Sequence, residues 1–229
     1  MQINIFEFIE GAKKARGLTV VIDVFRAFSL ECYLFQNGAS RIFPIGDLEK
    51  AYRLKRENPS YILIGERKGV QCEGTDYGNS PSQIKDISFS GKTIIHTTSA
   101  GTQGVVNASC ADEIITGSLV NARAVASYIK KKDPEIVSLL AMGANGVKTA
   151  NEDILCAEYI RSLLLNQPFP MEERLGKLRT NGGEHFFDPN RQQVFPENDY
   201  WMCTKVDRFP FILKVHKQDD QYIVLKEEI

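Results

Sequence analysis

The sequence predicts an α/β fold: a mostly parallel sheet with flanking helices, arranged as one body or as two α/β lobes around a cleft, and ending in an antiparallel hairpin. Three observations lead there. Short apolar runs rich in Val and Ile recur along the chain, each long enough for a strand and too short for a helix. Stretches of helical character separate them, opened by capping residues and closed by Gly or Asn-Pro. Near the end, two strand-like runs flank Asp219-Asp220. Strands that alternate with helices require right-handed crossovers, and hence a parallel sheet.

Residues 18–25 (LTVVIDVF) are the first apolar run and read as a buried strand. A helix over 27–36 follows and stops at Asn37-Gly38. A second strand covers 41–45, and Asp47 caps a helix over 48–57 that ends at Asn58-Pro59. The third strand, 61–64, runs into Gly65-Glu66-Arg67. Residues 68–90 break the rhythm, being rich in Gly, Ser, Asp and Pro without a period, and so long a loop in a compact chain is usually functional. Next come a strand at 92–98, a helix at 101–109, a strand at 113–116 and a helix capped by Ser118 that runs to Lys132. The last clear strand of the series is 135–141, followed by a loop and a long helix over 151–165. Beyond it, 171–178 and 198–206 read as helices with Gly182-Gly183 between them, and 211–216 and 221–226 as the strands of the hairpin. The 229 residues suit a single domain over 1–229, in which lobes of about 1–110 and 111–229 can share a cleft.

Bulk properties exclude several functions. Hydrophobic residues at 43% and charged residues at 25% are ordinary globular usage, not that of a disordered chain or a coiled coil. A formal net charge of −1 provides no positive field for nucleic acid or an anionic membrane, so any anion site is local. The stretch MQINIFEFIEGAKKARG lacks the basic start and apolar core of a signal peptide, and no apolar run approaches the ~20 residues of a membrane span. Cys32, Cys72, Cys110, Cys156 and Cys203 lack zinc spacing, and their odd number argues against a disulfide framework; free thiols in a reducing cytoplasm are expected.

Ligands of parallel sheets sit beyond the carboxyl ends of the strands, and four clusters fall there. In DVFRAFS (23–29), Asp23 can hold a metal or attack phosphorus, and Arg26 offers a planar fork for phosphate oxygens; a structural ion pair is the other reading. In GERKG (65–69) and GTDYGNSP (74–81), glycines and charges of both signs crowd one loop, where backbone N–H groups can approach an anion. TTSAGT (97–102) puts hydroxyls and a glycine where a strand feeds a helix, as a phosphate cradle or a plain cap. Residues 143–146 and then Asn151-Glu152-Asp153 offer hard oxygen ligands for Mg²⁺, or acids that suit a helix dipole. Gly91-Lys92-Thr93 mimics the end of a P-loop, but Asp86 stands where its first glycine belongs. His96, His185 and His216 show no metal spacing and read as structural.

Taken in order, DVFRAFS, GERKG, GTDYGNSP, TTSAGT, GSLVNA and NEDILCAEYI resemble the 2-phosphosulfolactate phosphatase family, from about residue 18 to the end. No single piece is specific; the ordered set is. The resemblance implies a cytoplasmic, Mg²⁺-dependent α/β enzyme with a cleft site, cleaving 2-phospho-3-sulfolactate to sulfolactate and phosphate in coenzyme M synthesis. The catalytic residues expected are Asp23, Arg26, Glu66 and Arg67. Mg²⁺ is assigned to Asp23 with help from Glu66, Asp76, Glu152 or Asp153. Arg26, Arg67 and Lys68 are expected to hold the anionic groups, with Ser29, Asn79, Ser80, Thr98, Ser99, Gly101, Thr102 and Asn121 around the substrate. Two positions depart from the family's motifs: Ala100 stands where T-T-N-G-T has Asn, and Phe28 where D-V-F-R-A-S/T-T has a small polar residue. A non-catalytic anion-binding or sensor protein that kept the cleft is the alternative. The partner expected is a small anionic phosphorylated acid, with no nucleic acid and no membrane; a homodimer is one arrangement open to the chain.

Overall fold

The computed structural model describes residues 1–219 and 221–229; Asp220, half of the expected hairpin turn, lies outside the described residues. The elements run β1 (Gln2–Glu7), α1 (Phe8–Ala12), β2 (Leu18–Ile22), α2 (Ala27–Gln36), β3 (Arg41–Pro44), α3 (Leu48–Glu57), β4 (Ile62–Arg67), β5 (Val70–Gln71), α4 (Pro81–Ile84), β6 (Thr93–Thr97), α5 (Gly101–Asn107), β7 (Glu113–Gly117), α6 (Ala122–Lys132), β8 (Ile136–Ala141), α7 (Asn151–Leu164), α8 (Met171–Leu178), α9 (Glu197–Cys203), β9 (Phe211–Gln218) and β10 (Gln221–Glu228). Single 3-10 turns form at Leu119–Asn121, Glu184–Phe187 and Pro189–Arg191. Besides α1 and the turns at Glu184–Phe187 and Pro189–Arg191, three more features were not anticipated. β1 is a half-exposed edge strand without a clean alternation. The long loop after β4 contains β5 and the short α4. Ser118 caps a 3-10 turn, reciprocally with Asn121, before α6 begins. No helix among the described residues is long and apolar enough to cross a membrane.

The strands form one sheet in the order β1-β8-β2-β7-β9-β10-β3-β6-β4-β5. β1, β8, β2 and β7 are mutually parallel, and so are β3, β6 and β4. The β9–β10 hairpin lies between the two sets, antiparallel to β7 on one side and to β3 on the other, which reverses the second set relative to the first. β2, from the first 110 residues, sits between β8 and β7, from the remainder. A twist of about 20–25° per pair, accumulated over the five pairings from β2 to β6, turns the strands by about 100–125°. That rotation brings carboxyl ends of opposed sets together: a Cβ on Gly101, just past β6, would stand 2.9 Å from Asp23 Oδ2, just past β2.

The curled sheet wraps α2, whose residues 27–35 are all buried. Phe28, Leu30 and Leu34 pack against Val21, Ile42, Ile64, Ile94, Leu213 and Val224, which come from strands in both halves of the sheet. On the opposite face, Val20 and Ile22 meet Val125 and Ile129 of α6 and Leu155 and Ile160 of α7. β2 is thus covered on both sides, which is why its run is continuously apolar. A smaller cluster seats α3 through Ala51 on Phe43, Leu63 and Ile95.

Two glycines separate packing from propensity. On buried α5, a Cβ at Gly104 would stand 2.5 Å from Val21 Cγ1 and collide with Met142. On exposed α8, a Cβ at Gly176 meets nothing within 4 Å. Gly104→Ala is expected to lower stability by about 1–3 kcal/mol. Gly176→Ala is expected to raise it by up to about 1 kcal/mol. Urea midpoints of both variants against the parent check this pair.

Candidate active site

A cavity of about 600 Å³ opens beyond the carboxyl ends of β2, β4, β6 and β8. One wall is acidic. Asp23 follows β2 and accepts the Ala27 N–H at Oδ1 (3.1 Å). Burial pushes its carboxyl up to about 6, and the Glu66 charge adds to this against the Ala27 N–H. Glu66, at the end of β4, accepts the Gly69 N–H (2.6 Å) and the Ser99 hydroxyl (3.1 Å) at Oε2, and the Ser99 N–H (2.6 Å) at Oε1. In the first turn of α7, Asp153 accepts the Val24 and Gly143 N–H groups, one on each oxygen at 2.8 Å. Burial and the Asp23 and Glu152 charges nevertheless push it well above the usual carboxylate range. Burial raises Glu152 to about 8, with the Asp23 and Glu184 charges adding to the rise.

These acids suit Mg²⁺. Among the described residues no three His, Cys, Asp or Glu side chains converge tightly enough to hold a metal by themselves. Mg²⁺ needs only one or two carboxylates, keeps several waters and takes its other ligands from substrate phosphates. The donors present are hard oxygens, and a cation would offset the burial, and the lesser repulsion, that raise Asp23 and Glu152, both of which line the cavity.

Cations line the same cavity. Lys68, Lys148 and Arg191 are exposed and line the cavity, and none forms an ion pair among the described residues. The Arg191 guanidinium lies 4.6 Å from the Phe195 ring centroid, and that ring packs on Gly69, whose φ of +83° and lack of Cβ leave it room. His185 stands beside Phe186 and Phe195 with centroids at 4.3 and 4.6 Å. Burial holds its imidazole down at about 4, and the Arg191 charge acts in the same direction.

Arg26 reaches the cavity wall as a clamp, its side chain 3% exposed. Its Nη1 pairs with Asp199 Oδ2 and donates to the Val194 carbonyl, both at 2.8 Å, and its Nη2 donates to the Gly69 carbonyl at 2.9 Å. Asp199, fully buried in α9, accepts the Ser80 hydroxyl and the Ser82 N–H at Oδ1, both at 2.9 Å. This is the ion-pair reading of Arg26, and Ser80 serves it.

The other expected residues divide. Lys68, Asn79 and Ser99 line the cavity. Arg67 does not: its guanidinium donates to the Glu66 and Gly46 carbonyls and to Thr97 Oγ1. Asp76 is outside as well, accepting the Leu63 N–H (2.7 Å) and Lys55 Nζ (2.9 Å) because the loop after β5 folds back along β4. Ser29 donates to the Val24 carbonyl, Thr98 and Thr102 exchange hydrogen bonds at the start of α5, and Asn121 Oδ1 accepts the Ser118 N–H. All four are buried supports away from the cavity. Gly101 is required bare, since its Cβ would also meet Ala27 Cβ at 2.9 Å.

A family model described as 2-phosphosulpholactate phosphatase matches residues 4–181. The chain belongs to that family. Among similar proteins, one from Bacillus subtilis is 30% identical over 233 aligned residues, covering 100% of both chains. One from Caldicellulosiruptor saccharolyticus is 41% identical over 155 residues, 66% of this chain and 63% of that protein. One from Clostridium perfringens is 35% identical over 162 residues, 69% of this chain and 65% of that protein. All three carry the name "Probable 2-phosphosulfolactate phosphatase".

Within this family's motifs the cavity draws on every piece except GSLVNA. Ala100, where the family's motif has Asn, lines the cavity, while Phe28 is fully buried beneath Gly101 and stays out of it. Lys148, His185, Arg191, Phe195 and Asp199 were not found from the sequence. They lie outside the motifs, and all but Lys148 lie beyond the family match as well.

Two expectations follow. Removing one partner of a buried ion pair leaves an uncompensated charge, so Asp199→Ala should cost about 3–5 kcal/mol. Arg26→Met with Asp199→Leu should cost less than the two single substitutions added together. Urea unfolding of the full cycle tests this, and additivity would contradict the clamp. His185 has a depressed folded pKa, so its contribution to stability is complete above about 6.5 and is lost as pH falls toward about 4. His185→Gln should therefore flatten the fall in melting temperature between pH 6.5 and 4.5 relative to the parent, as read by calorimetric scans.

Proposed function

We propose that this chain is a Mg²⁺-dependent phosphatase that removes phosphate from a small, multiply anionic acid, 2-phosphosulfolactate being the substrate that its relatives' names specify. The observation that carries this reading is a cavity lined both by the acids Asp23, Glu66, Glu152 and Asp153 and by the cations Lys68, Lys148 and Arg191, which have no ion-pair partner among the described residues. A phosphate ester that also bears carboxylate and sulfonate groups needs both: cations for its peripheral anions, and a divalent ion between its phosphate and the acids.

Asp23 and Glu152 would hold Mg²⁺, which when bound neutralises and polarises the phosphate oxygens. The remaining work falls to the chain. Lys68, Lys148 and Arg191 bind the anionic groups and fix the ester's orientation in the cavity. Glu66 holds Ser99 and the Lys68-Gly69 turn in place through its three hydrogen bonds, and Ser99 Oγ accepts the Lys68 N–H at 2.9 Å. Phe25 and Phe195 line the same cavity and limit the water around the reacting group. Monoesters of phosphate are among the slowest bonds to hydrolyse unaided, with accelerations of up to about 10²¹-fold known for such reactions, so charge neutralisation of this kind is the main requirement. A cytoplasmic setting and a role in coenzyme M synthesis belong to the same proposal, and five free thiols suit a reducing compartment.

Phosphate release from a panel of phosphorylated hydroxy acids, with Mg²⁺ and with chelator, tests the reading and separates an enzyme from a silent anion-binding protein. Asp23→Asn is expected to lower kcat/KM by about 10²–10³-fold or more while leaving the fold intact. Equal kcat/KM in variant and parent at saturating Mg²⁺ would remove Asp23 from the mechanism.

A further inference from the structure

Beneath the cavity lies a buried polar chain that the mechanism above does not use. Glu31 on α2 and His96 on β6 are both 0% exposed, and Glu31 Oε1 stands 2.8 Å from His96 Nδ1. His96 Nε2 in turn stands 3.3 Å from Asn79 Oδ1. Asn79 lines the cavity, and its amide NH₂ has no hydrogen-bond partner among the described residues. Among the described residues Glu31 Oε2 is buried without a partner, and His96 is the one side chain that bonds this carboxyl.

The protonation of the pair determines which end of the Asn79 amide faces the cavity. With two protons the pair is neutral overall, and His96 carries a proton on Nε2 whether the other proton rests on Nδ1 or on Glu31. That N–H must donate to Asn79 Oδ1, so the NH₂ points into the cavity. With one proton, on Nδ1, Nε2 becomes an acceptor, the amide turns over and its oxygen faces the cavity. In the structure it is the amide oxygen, which can only accept, that faces Nε2, and this makes Nε2 the donor. We infer that Glu31 and His96 are positioning residues that hold the Asn79 amide with its NH₂ toward the cavity, as a donor for an oxyanion of the substrate. This rests on the phosphatase reading and adds to it a neutral donor in the cavity.

The test uses inorganic phosphate titrated calorimetrically into the full chain in Mg²⁺ buffer, together with ¹⁵N-edited NMR of the His96 ring. In the parent, His96 Nε2 is expected to carry a proton. Asn79→Ala, which leaves the Glu31–His96 pair intact, should weaken phosphate binding about tenfold or more, the scale of a hydrogen bond to a charged group. Glu31→Leu combined with His96→Leu, which leaves no unpaired buried charge and no donor to Asn79 Oδ1, should weaken phosphate by a similar factor in a folded protein, an effect that a merely structural pair would not produce. A bare Nε2 in the parent overturns the inference, and so does phosphate affinity within twofold of the parent in both variants. A parent that does not bind phosphate at all overturns the anion-site reading as well, which distinguishes the two failures.

Discussion

The cavity exists because Arg26 and Asp199 are buried together. An isolated guanidinium or carboxylate in that position would carry a desolvation cost of several kcal/mol. The pair offsets it by satisfying nearly every neighbouring polar group: Arg26 takes up the Gly69 and Val194 carbonyls, and Asp199 takes up Ser80 and Ser82. Four chain segments, the turn after β2, the turn after β4, the loop before α4 and the stretch leading into α9, are thereby fixed to one another. Each contributes a cavity-lining residue: Asp23, Lys68, Asn79 and Phe195 respectively. Arg26, expected among the catalytic residues, lines the cavity and also ties its walls together.

With the walls fixed, the acids can be held at unfavourable distances. Glu66 and Asp153 each accept backbone N–H groups on both oxygens: Gly69 and Ser99 for Glu66, and Val24 and Gly143 for Asp153. Asp23 has one such donor at Oδ1, and Glu152 has no side-chain partner beyond its own backbone N–H. Strain of this electrostatic kind concentrates where function lies, because the same burial that raises a carboxyl's pKa strengthens its attraction for a cation. The two acids that the backbone leaves least satisfied are therefore the two best suited to a metal.

Local signals in the sequence were enough for most of the fold and for about half of the site. α2, α3 and α8 form over the residues that their caps and stops mark, and the run after Arg16 forms β2, with its continuous apolarity explained by two covered faces. β1 escaped because an edge strand with one exposed flank lacks both a full apolar run and a strict alternation. Motif density located the loops of the site but not the directions of their side chains. Arg67 and Asp76 sit in the right loops and turn to Gly46 and Lys55. The partner of Arg26 lies 173 residues away, and no spacing rule connects them. Arg191 and Lys148 carry no local pattern at all; only the closed cavity makes a surface cation into a binding group.

The curl of the sheet explains why one site can draw on strands that run in opposite senses. Without twist, the β9–β10 hairpin would put the carboxyl ends of β2 and β6 at opposite edges of the molecule, and a shared cleft could not form. Twist brings them together, and α2 fills the concavity that results. That helix begins at the cavity, where the Ala27 N–H donates to Asp23, and passes one turn later beneath it, where Glu31 meets His96 of β6. Its interior position follows from its apolar surroundings, and a carboxylate on such a helix would be expelled unless it found a partner. His96 is that partner. The helix that lets the sheet close therefore also carries a charge to the underside of the site, and the orientation of Asn79 is set by the same packing that makes the fold.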